Sequence, residues 1–272
     1  MASRISKHFV LIAFSALAIF PVLLIIINSF KTRNAVFSQP YSLPNSGSFS
    51  LAGYNTVFAR ADFLRYYGNS FIILAFSMLF ILLFASMVAF ALSQYNFKLK
   101  KFVTVYFLLG LILPIRLASG EMLKIMVWLK LTNTYLGLIL AYLVQGLPFT
   151  IFILTQFMRT VPQAIFEAAR IEGANEFQLY LLALPQVKGA IATVAAFSLL
   201  PIWNDIWFPI ILAPNGRIIT VTLGLQQFFG QFQSDWSALL SALTLAIVPL
   251  LILYFIFSKS IISGVVEGAL KQ

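Results

Sequence analysis

An all-α polytopic membrane protein with six spanning helices is the fold this sequence predicts, and three observations carry the prediction. Its 272 residues are 61% hydrophobic and 10% charged, far from the balance of roughly half apolar and a quarter charged that soluble domains keep. Mean hydropathy is +0.94. The apolar residues fall in uncharged runs of about 20, each long enough as a helix to cross a hydrocarbon core, and short polar connections separate them. The whole chain, 1–272, therefore reads as a single membrane domain with spans near 9–28, 70–93, 102–117, 135–157, 189–213 and 236–258.

The first eight residues carry Arg4 and Lys7, and Phe9 to Ile27 follow without a charge. Small residues at Ala16 and Ala18 give this stretch the look of a signal peptide. Its apolar core is 19 residues long, however, beyond the 7 to 15 of a signal sequence, and no polar cleavage region follows, so it reads as a retained spanning helix. From Asn28 to Asn69 the chain is polar, with turn residues at Pro40, Pro44, Asn45, Ser46 and Gly47. That length suits a small cap at a membrane face, and the mixed apolar and aromatic residues of Leu51 to Tyr67 suit one or two short interfacial helices.

Phe71 to Leu92 is uncharged over 22 residues, about 33 Å as a helix. Lys98, Lys100 and Lys101 follow at once and favour the cytoplasmic side. The third run, Phe102 to Ile115, contains Pro114 and meets Arg116, so it spans if tilted or backed by neighbours. Leu117 to Leu131 mixes Glu121, Lys124 and Lys130 with Met122, Ile125, Met126 and Trp128, and suits an interface or a partner contact. Tyr135 to Phe157 contains Gln145, Gly146 and Pro148, which membrane depth tolerates when they face protein or a wet cavity. Gly189 to Ala213 makes a fifth run, a polar loop covers Pro214 to Asp235, and Trp236 to Phe257 makes the sixth, followed by a short polar tail.

Six spans put both termini on one side. That side carries Arg4, Lys7, Lys98, Lys100, Lys101, Arg159, Arg170, Lys188, Lys259 and Lys271, and the other carries Lys31, Arg33, Arg60, Arg65, Arg116, Lys124, Lys130 and Arg217. The first set occupies fewer loop residues, so charge density places the termini in the cytoplasm. The net charge of +10 is then a feature of loops facing anionic headgroups, not of a nucleic-acid surface.

Several chemistries are disfavoured by composition. The chain has no cysteine and one histidine, His8, so thiolate metal sites, disulfides and Cys nucleophiles are excluded. A zinc site would need carboxylates, and the eight acids are scattered. No catalytic residue and no metal site is assigned. A phosphate-binding GxxxxGK[ST] run is absent, so no cofactor is expected in this chain.

Against that background Thr160 to Pro185 stands out, a polar connector holding Glu167, Glu172 and Glu176 between two apolar runs. Pro162 suits the first turn of a helix. That helix would carry Ile165, Ala168, Ala169 and Glu172 on one side and meet Gly173, a residue for a stop or a close backbone approach. Asn175 and Gln178 form a capping-box pattern, so a second helix is expected to run to Leu184, with Pro185 marking its break. Two readings are open on physical grounds: an ordinary helical loop whose alanines are good helix formers, or a docking surface with Glu167 as a fixed charge.

Glu167-Ala168-Ala169, then Gly173 and Leu184-Pro185, resemble the EAA motif of the membrane subunits of binding-protein-dependent ABC importers. Pro162, the run Arg170-Ile171-Glu172-Gly173-Ala174, the cluster Trp203-Asn204-Asp205, the stretch Asn133 to Gly137 and Gly264 to Lys271 extend the resemblance to carbohydrate permeases of the maltose-permease G type. Two departures are visible: Glu172 stands where the family usually has Asp, and Pro185 follows Gly173 by twelve positions where thirteen is common. One residue turns a helix by about 100 degrees, so the departure bears on the orientation of the second helix.

The resemblance implies the type I importer permease fold with a cytoplasmic coupling helix, and residues Glu167, Ala168, Ala169, Glu172, Gly173 and Ala174 as its ATPase-coupling segment. It implies a second, related permease subunit in a heterodimer, two ATPase subunits that bind ATP and Mg, a solute-binding protein and a bacterial cytoplasmic membrane. The expected activity is ATP-driven import of a sugar-like solute by alternating access, with no enzymatic step in this chain. Trp203, Asn204, Asp205 and Trp207 form a second constellation. An ionised Asp at mid-membrane costs about 3 kcal/mol, so two readings stand: a translocation pathway lined with indoles and polar groups, or an aromatic belt at the outer interface with Asp205 in water. A self-contained secondary transporter or channel is the alternative function, and it would need coupling-ion or filter residues within the spans.

Overall fold

The structure, a computed structural model, describes residues 2–228 and 235–270. Residues 229–234 of the expected Pro214 to Asp235 loop, and Lys271 at the end of the Gly264 to Lys271 stretch, lie outside the described residues. The helices are α1 (Ala2–Ser29), α2 (Arg33–Ser38), α3 (Ala52–Arg60), α4 (Phe63–Gln94), α5 (Lys100–Ile112), α6 (Ser119–Trp128), α7 (Tyr135–Met158), α8 (Gln163–Ile171), α9 (Glu176–Gln186), α10 (Lys188–Asn204), α11 (Trp207–Leu212), α12 (Val221–Leu225) and α13 (Trp236–Leu270). Among the described residues the one non-helical pairing is an isolated antiparallel bridge between Lys31 and Phe49.

Among the described residues four helices are long and apolar enough to cross a membrane: Ser6–Ser29 of α1, α4, α7 and Trp236–Leu253 of α13. Two bent pairs raise the number to as many as six, Lys100–Ile112 with Ile115–Trp128 at 89° and Glu176–Gln186 with Lys188–Asn204 at 76°. The first bend has a plain cause. Pro114 excludes the helical region for the residue before it, and Leu113 is extended at φ −75, ψ 125.

Elements depart from the sequence reading at four places. α4 begins at Phe63 and so absorbs the end of the stretch expected to be interfacial, leaving α3 as the short helix there. The run 189–213 is not one helix, because Asp205 adopts extended backbone at φ −72, ψ 134 and separates α10 from α11. Pro185 lies inside α9, and the break falls at Val187. The last helix runs to Leu270, since no proline follows Pro249 to stop it.

By compactness the chain forms two units, Met1–Tyr67 with Val221–Leu251, and Gly68–Thr220 with Ile252–Gln272. In the first unit, serines of α13 satisfy backbone carbonyls at and just past the end of α1: Ser241 Oγ donates to Ser29 O at 3.2 Å and Ser237 Oγ to Lys31 O at 3.1 Å. Lys31 is fully buried. Its ammonium donates to Asn28 Oδ1 at 3.0 Å, Gln39 O at 2.8 Å and Pro40 O at 3.4 Å, so three neutral acceptors take its three protons.

The second unit holds the larger core. It gathers Ala85, Ala89 and Phe90 of α4, Ile151, Leu154 and Met158 of α7, Phe166 of α8, Leu179, Tyr180 and Ala183 of α9, and Ala190 and Val194 of α10. Two glycines allow close helix contact: Gly110 of α5 faces Pro148 of α7, and Gly146 of α7 faces Ile81 of α4. At the other end of α4, Asn69 donates to Arg217 O and Ile219 O, both at 2.8 Å, and accepts from Tyr135 OH at 2.6 Å.

Candidate functional site

The connector folds as two short helices, α8 and α9, meeting at Gly173. α8 is amphipathic in a way that sorts the motif residues. Phe166 is completely buried, and Ile165 and Ala169 are half-buried against the core. One helix turn apart on the opposite face, Ala164, Glu167, Ala168 and Ile171 are exposed, Ile171 at 88%. The expected grouping of Ile165, Ala168, Ala169 and Glu172 on one side is therefore corrected: Ala169 and Ile165 turn inward, and Ala168 turns outward beside Glu167.

Gly173 sits at φ +85, a left-handed conformation that L side chains adopt only at a cost. Ala174 N donates to Ala169 O at 2.9 Å and Gly173 N to Arg170 O at 3.0 Å, which is the Schellman pattern that closes a helix C-terminus. A side chain at this glycine would meet nothing within 4 Å in this chain. Glu172 is the exposed C-terminal cap residue of α8, and Ala174 is half-buried after the turn. α9 then starts with the expected capping box, Asn175 Oδ1 accepting from Gln178 N at 3.0 Å and Gln178 Oε1 from Asn175 N at 2.7 Å.

The four residues of the second constellation have different surroundings. Trp203 is buried against the ring of Phe71, centroids 5.0 Å apart, while Asn204 is exposed. Asp205 is buried at 8% exposure. Its carboxylate accepts from Trp207 N at 3.2 Å, Phe208 N at 2.9 Å and Tyr142 OH at 3.1 Å, and Arg116 stands 3.6 Å away. Trp207 donates through Nε1 to Ser119 Oγ at 2.8 Å, and the Arg116 guanidinium lies 5.9 Å from the Trp207 ring centroid. These contacts join the break before α6 to the break before α11. Helix N–H groups, a phenol and a guanidinium all engage the Asp205 carboxylate.

A cavity of about 280 Å³ lies between α4, α7 and α10, lined by Ile81, Tyr142, Gln145, Gly146, Phe149, Phe197, Ser198, Pro201 and Ile202. The half-buried Gln145 amide has no partner among the described residues, nor does the Ser198 hydroxyl. Phe149 and Phe197 meet edge to face at 6.2 Å. The sequence flagged Gln145 and Gly146 as residues for a wet cavity; Ser198, Phe149 and Phe197 gave no signal, because each is ordinary in an apolar helix. Among the described residues no cluster of His, Cys, Asp and Glu could hold a metal.

Comparison with known proteins places this architecture. The family model of the binding-protein-dependent transport system inner membrane component matches residues 81–266. The diacetylchitobiose uptake system permease protein NgcG of Streptomyces coelicolor is 30% identical over 97% of this chain and 88% of its own length. The maltodextrin transport system permease protein MdxG of Bacillus subtilis is 26% identical over 100% of this chain and 97% of its own. In solved structures, a chain of a bacterial ABC transporter involved in the import of the acidic polysaccharide alginate superposes with a TM-score of 0.82, at 20% identity, over 95% of this chain and 96% of that one, which gives the type I importer permease fold. With four to six candidate spans among the described residues, a helical connector after α7 and a family match over most of its length, the chain belongs to the inner membrane components of binding-protein-dependent transport systems.

Proposed function

We propose that this chain is the permease subunit of an ATP-driven importer of a sugar or sugar-like solute, and that α8 is the surface on which an ATPase subunit docks. The observation that carries the docking role is the exposed face of α8. Ala164 and Ala168 leave room for a partner, Glu167 has no ion pair among the described residues, and Ile171 is an apolar side chain exposed at 88%. An isolated exposed Leu or Ile needs no explanation, but one set beside two alanines and a free carboxylate on a rigid, capped helix offers a compact surface for a groove with a basic rim. Glu172, Gly173 and Ala174 shape the end of that surface and Ala169 anchors it from beneath.

Carbohydrate as the solute class follows from the relatives, whose names specify diacetylchitobiose and maltodextrin. Within this chain the cavity at Gln145 and Ser198 suits a sugar better than the Trp203 to Trp207 cluster does. It offers unengaged hydrogen-bonding groups beside two aromatic faces, whereas the polar atoms around Asp205 are engaged. Its volume is near the lower end of small-molecule sites, enough for part of an oligosaccharide, with a partner subunit completing the path. ATP and Mg belong to two separate ATPase subunits, a solute-binding protein delivers the cargo, and a related permease chain completes a heterodimer with both termini of this chain in the cytoplasm. The six spans act as a single permease domain.

Docking is tested by Ile171→Asp in the full complex. The side chain is almost fully exposed, so the chain still folds, and the expected result is loss of the ATPase subunits on purification together with loss of uptake. An Ile171→Asp importer that retained its ATPase and transported normally would overturn the assignment.

A further inference from the structure

The connector joins α7 to α10, yet its side chains fasten it to α4, which lies far upstream in sequence. Phe90 of α4 sits at the centre of an aromatic knot, with its ring 6.0 Å from Phe166 of α8, 5.8 Å from Tyr180 of α9 and 5.8 Å from Tyr95 at its own helix end. Phe166 is fully buried, and Ala85 and Ala89 of α4 lie in the same core at 0% exposure. Polar ties flank the knot. Ser86 Oγ and Tyr180 OH share a buried hydrogen bond of 2.8 Å, and Tyr95 OH donates to the Glu176 carboxylate at the start of α9.

α7 and α10 share the apolar core with the connector through Ile151, Leu154, Met158, Ala190 and Val194, but the connector's ring contacts and its buried side-chain hydrogen bond run to α4. α7 passes into α8 through the turn 159–162, and α9 passes into α10 across a bend of 76° at Val187. A bent backbone joint yields more easily than an interlocked aromatic core, which packs at crystal-like density and shifts as a body.

We propose that α4 is the element through which displacement of the docking helix enters the membrane domain. Phe166, Phe90 and Tyr180 form the rigid joint, and Tyr95–Glu176 and Ser86–Tyr180 act as its ties. The residues named are positioning residues: they touch no nucleotide or solute and act by making α8, α9 and the cytoplasmic half of α4 move together. This inference rests on the docking reading of α8.

The test uses the complete importer in proteoliposomes with its solute-binding protein. The chain has no cysteine, so paired cysteines can be placed cleanly. Gln94 and Gln163 touch at 3.1 Å on the exposed rim of the joint and serve as probe positions. In Q94C/Q163C, bridging with a short bifunctional thiol reagent that reductant cleaves is expected to leave uptake within about twofold of the unbridged protein, because a rigid joint tolerates a strut. Uptake that stops on bridging and returns on cleavage would mean that α8 slides on α4, and would overturn the proposal.

The complementary variant is Phe166→Ala, expected to retain the ATPase subunits while the ratio of solute moved to ATP hydrolysed falls about tenfold, and to regain coupling when the same bridge is added. If Phe166→Ala fails to fold, Tyr95→Phe with Glu176→Gln removes an exposed tie and is expected to lower the same ratio. An unchanged ratio in whichever of these variants folds also overturns the proposal. Loss of the ATPase subunits from Ile171→Asp, with Phe166→Ala still assembled, separates failure of the joint from failure of docking.

Discussion

Lys31 shows how a single residue can be costly and satisfied at once. Burial holds its ammonium below the ordinary lysine value of 10.5, because desolvation penalises the charged form. Between that lowered value and 10.5 the unfolded chain binds more protons than the folded one, so stability of the first unit rises with pH through this window. Lys31→Met removes the group and is expected to flatten the slope. It leaves Asn28 Oδ1 short of a donor, whereas Pro40 O keeps its bond from Asn28 Nδ2 and Gln39 O its bond from Ser42 Oγ. Thermal unfolding of both proteins in one detergent from neutral pH to the lysine range checks this, and parallel pH slopes would contradict it.

Gly173 is the residue where one of two reasons for a glycine is seen in the backbone. The sequence allowed a helix stop or a close backbone approach; the fold shows the stop, a left-handed φ of +85 that terminates α8. An L side chain there costs roughly 1 to 2 kcal/mol, with asparagine among the few that visit the region readily. Gly173→Asn is therefore expected to keep ATPase coupling close to normal and Gly173→Val to lose most of it, as read by ATPase activity of the assembled complex. Equal loss in both would mean that bulk at this position, not backbone geometry, decides.

Among elements, legibility depended on whether local chemistry or tertiary contacts set the boundary. The connector's caps were readable because Asn175, Gln178 and Gly173 act on backbone groups within three or four residues. Ala168 and Ala169 could not be told apart by composition. What separates them is the buried Phe166, whose neighbour Ala169 must share its face while Ala168 cannot. The break between α10 and α11 was hidden for a similar reason. Asp205 looked like a buried charge in search of solvent or a solute, but its partners Tyr142 and Arg116 lie 63 and 89 positions upstream, beyond any local pattern. Asp205→Ala is expected to destabilise the second unit by about 3 kcal/mol, since it orphans two helix N–H groups and a buried hydroxyl, and Asp205→Asn by less. Reduced uptake at unchanged thermal stability would instead favour the pathway reading.

At the scale of the whole chain, function turns on the number of crossings: among the described residues four helices pass as spans unaided, and two bent pairs must act as spans to reach six. The two counts place the same residues on opposite sides. With the N-terminus in the cytoplasm, six crossings put Asn133 outside and Glu172 inside; four crossings, by α1, α4, α7 and α13, put Asn133 inside and Glu172 outside. Docking of an ATPase on α8 requires the first arrangement, so topology and function stand together. Single cysteines in this cysteine-free chain, at Ser46, Lys98, Asn133 and Glu172, can be labelled on intact cells by a membrane-impermeant maleimide. Labelling is expected at positions 46 and 133 and absent at 98 and 172 until the membrane is opened. Labelling of position 172 from outside would remove α8 from the reach of any cytoplasmic ATPase and with it the route by which ATP moves this permease.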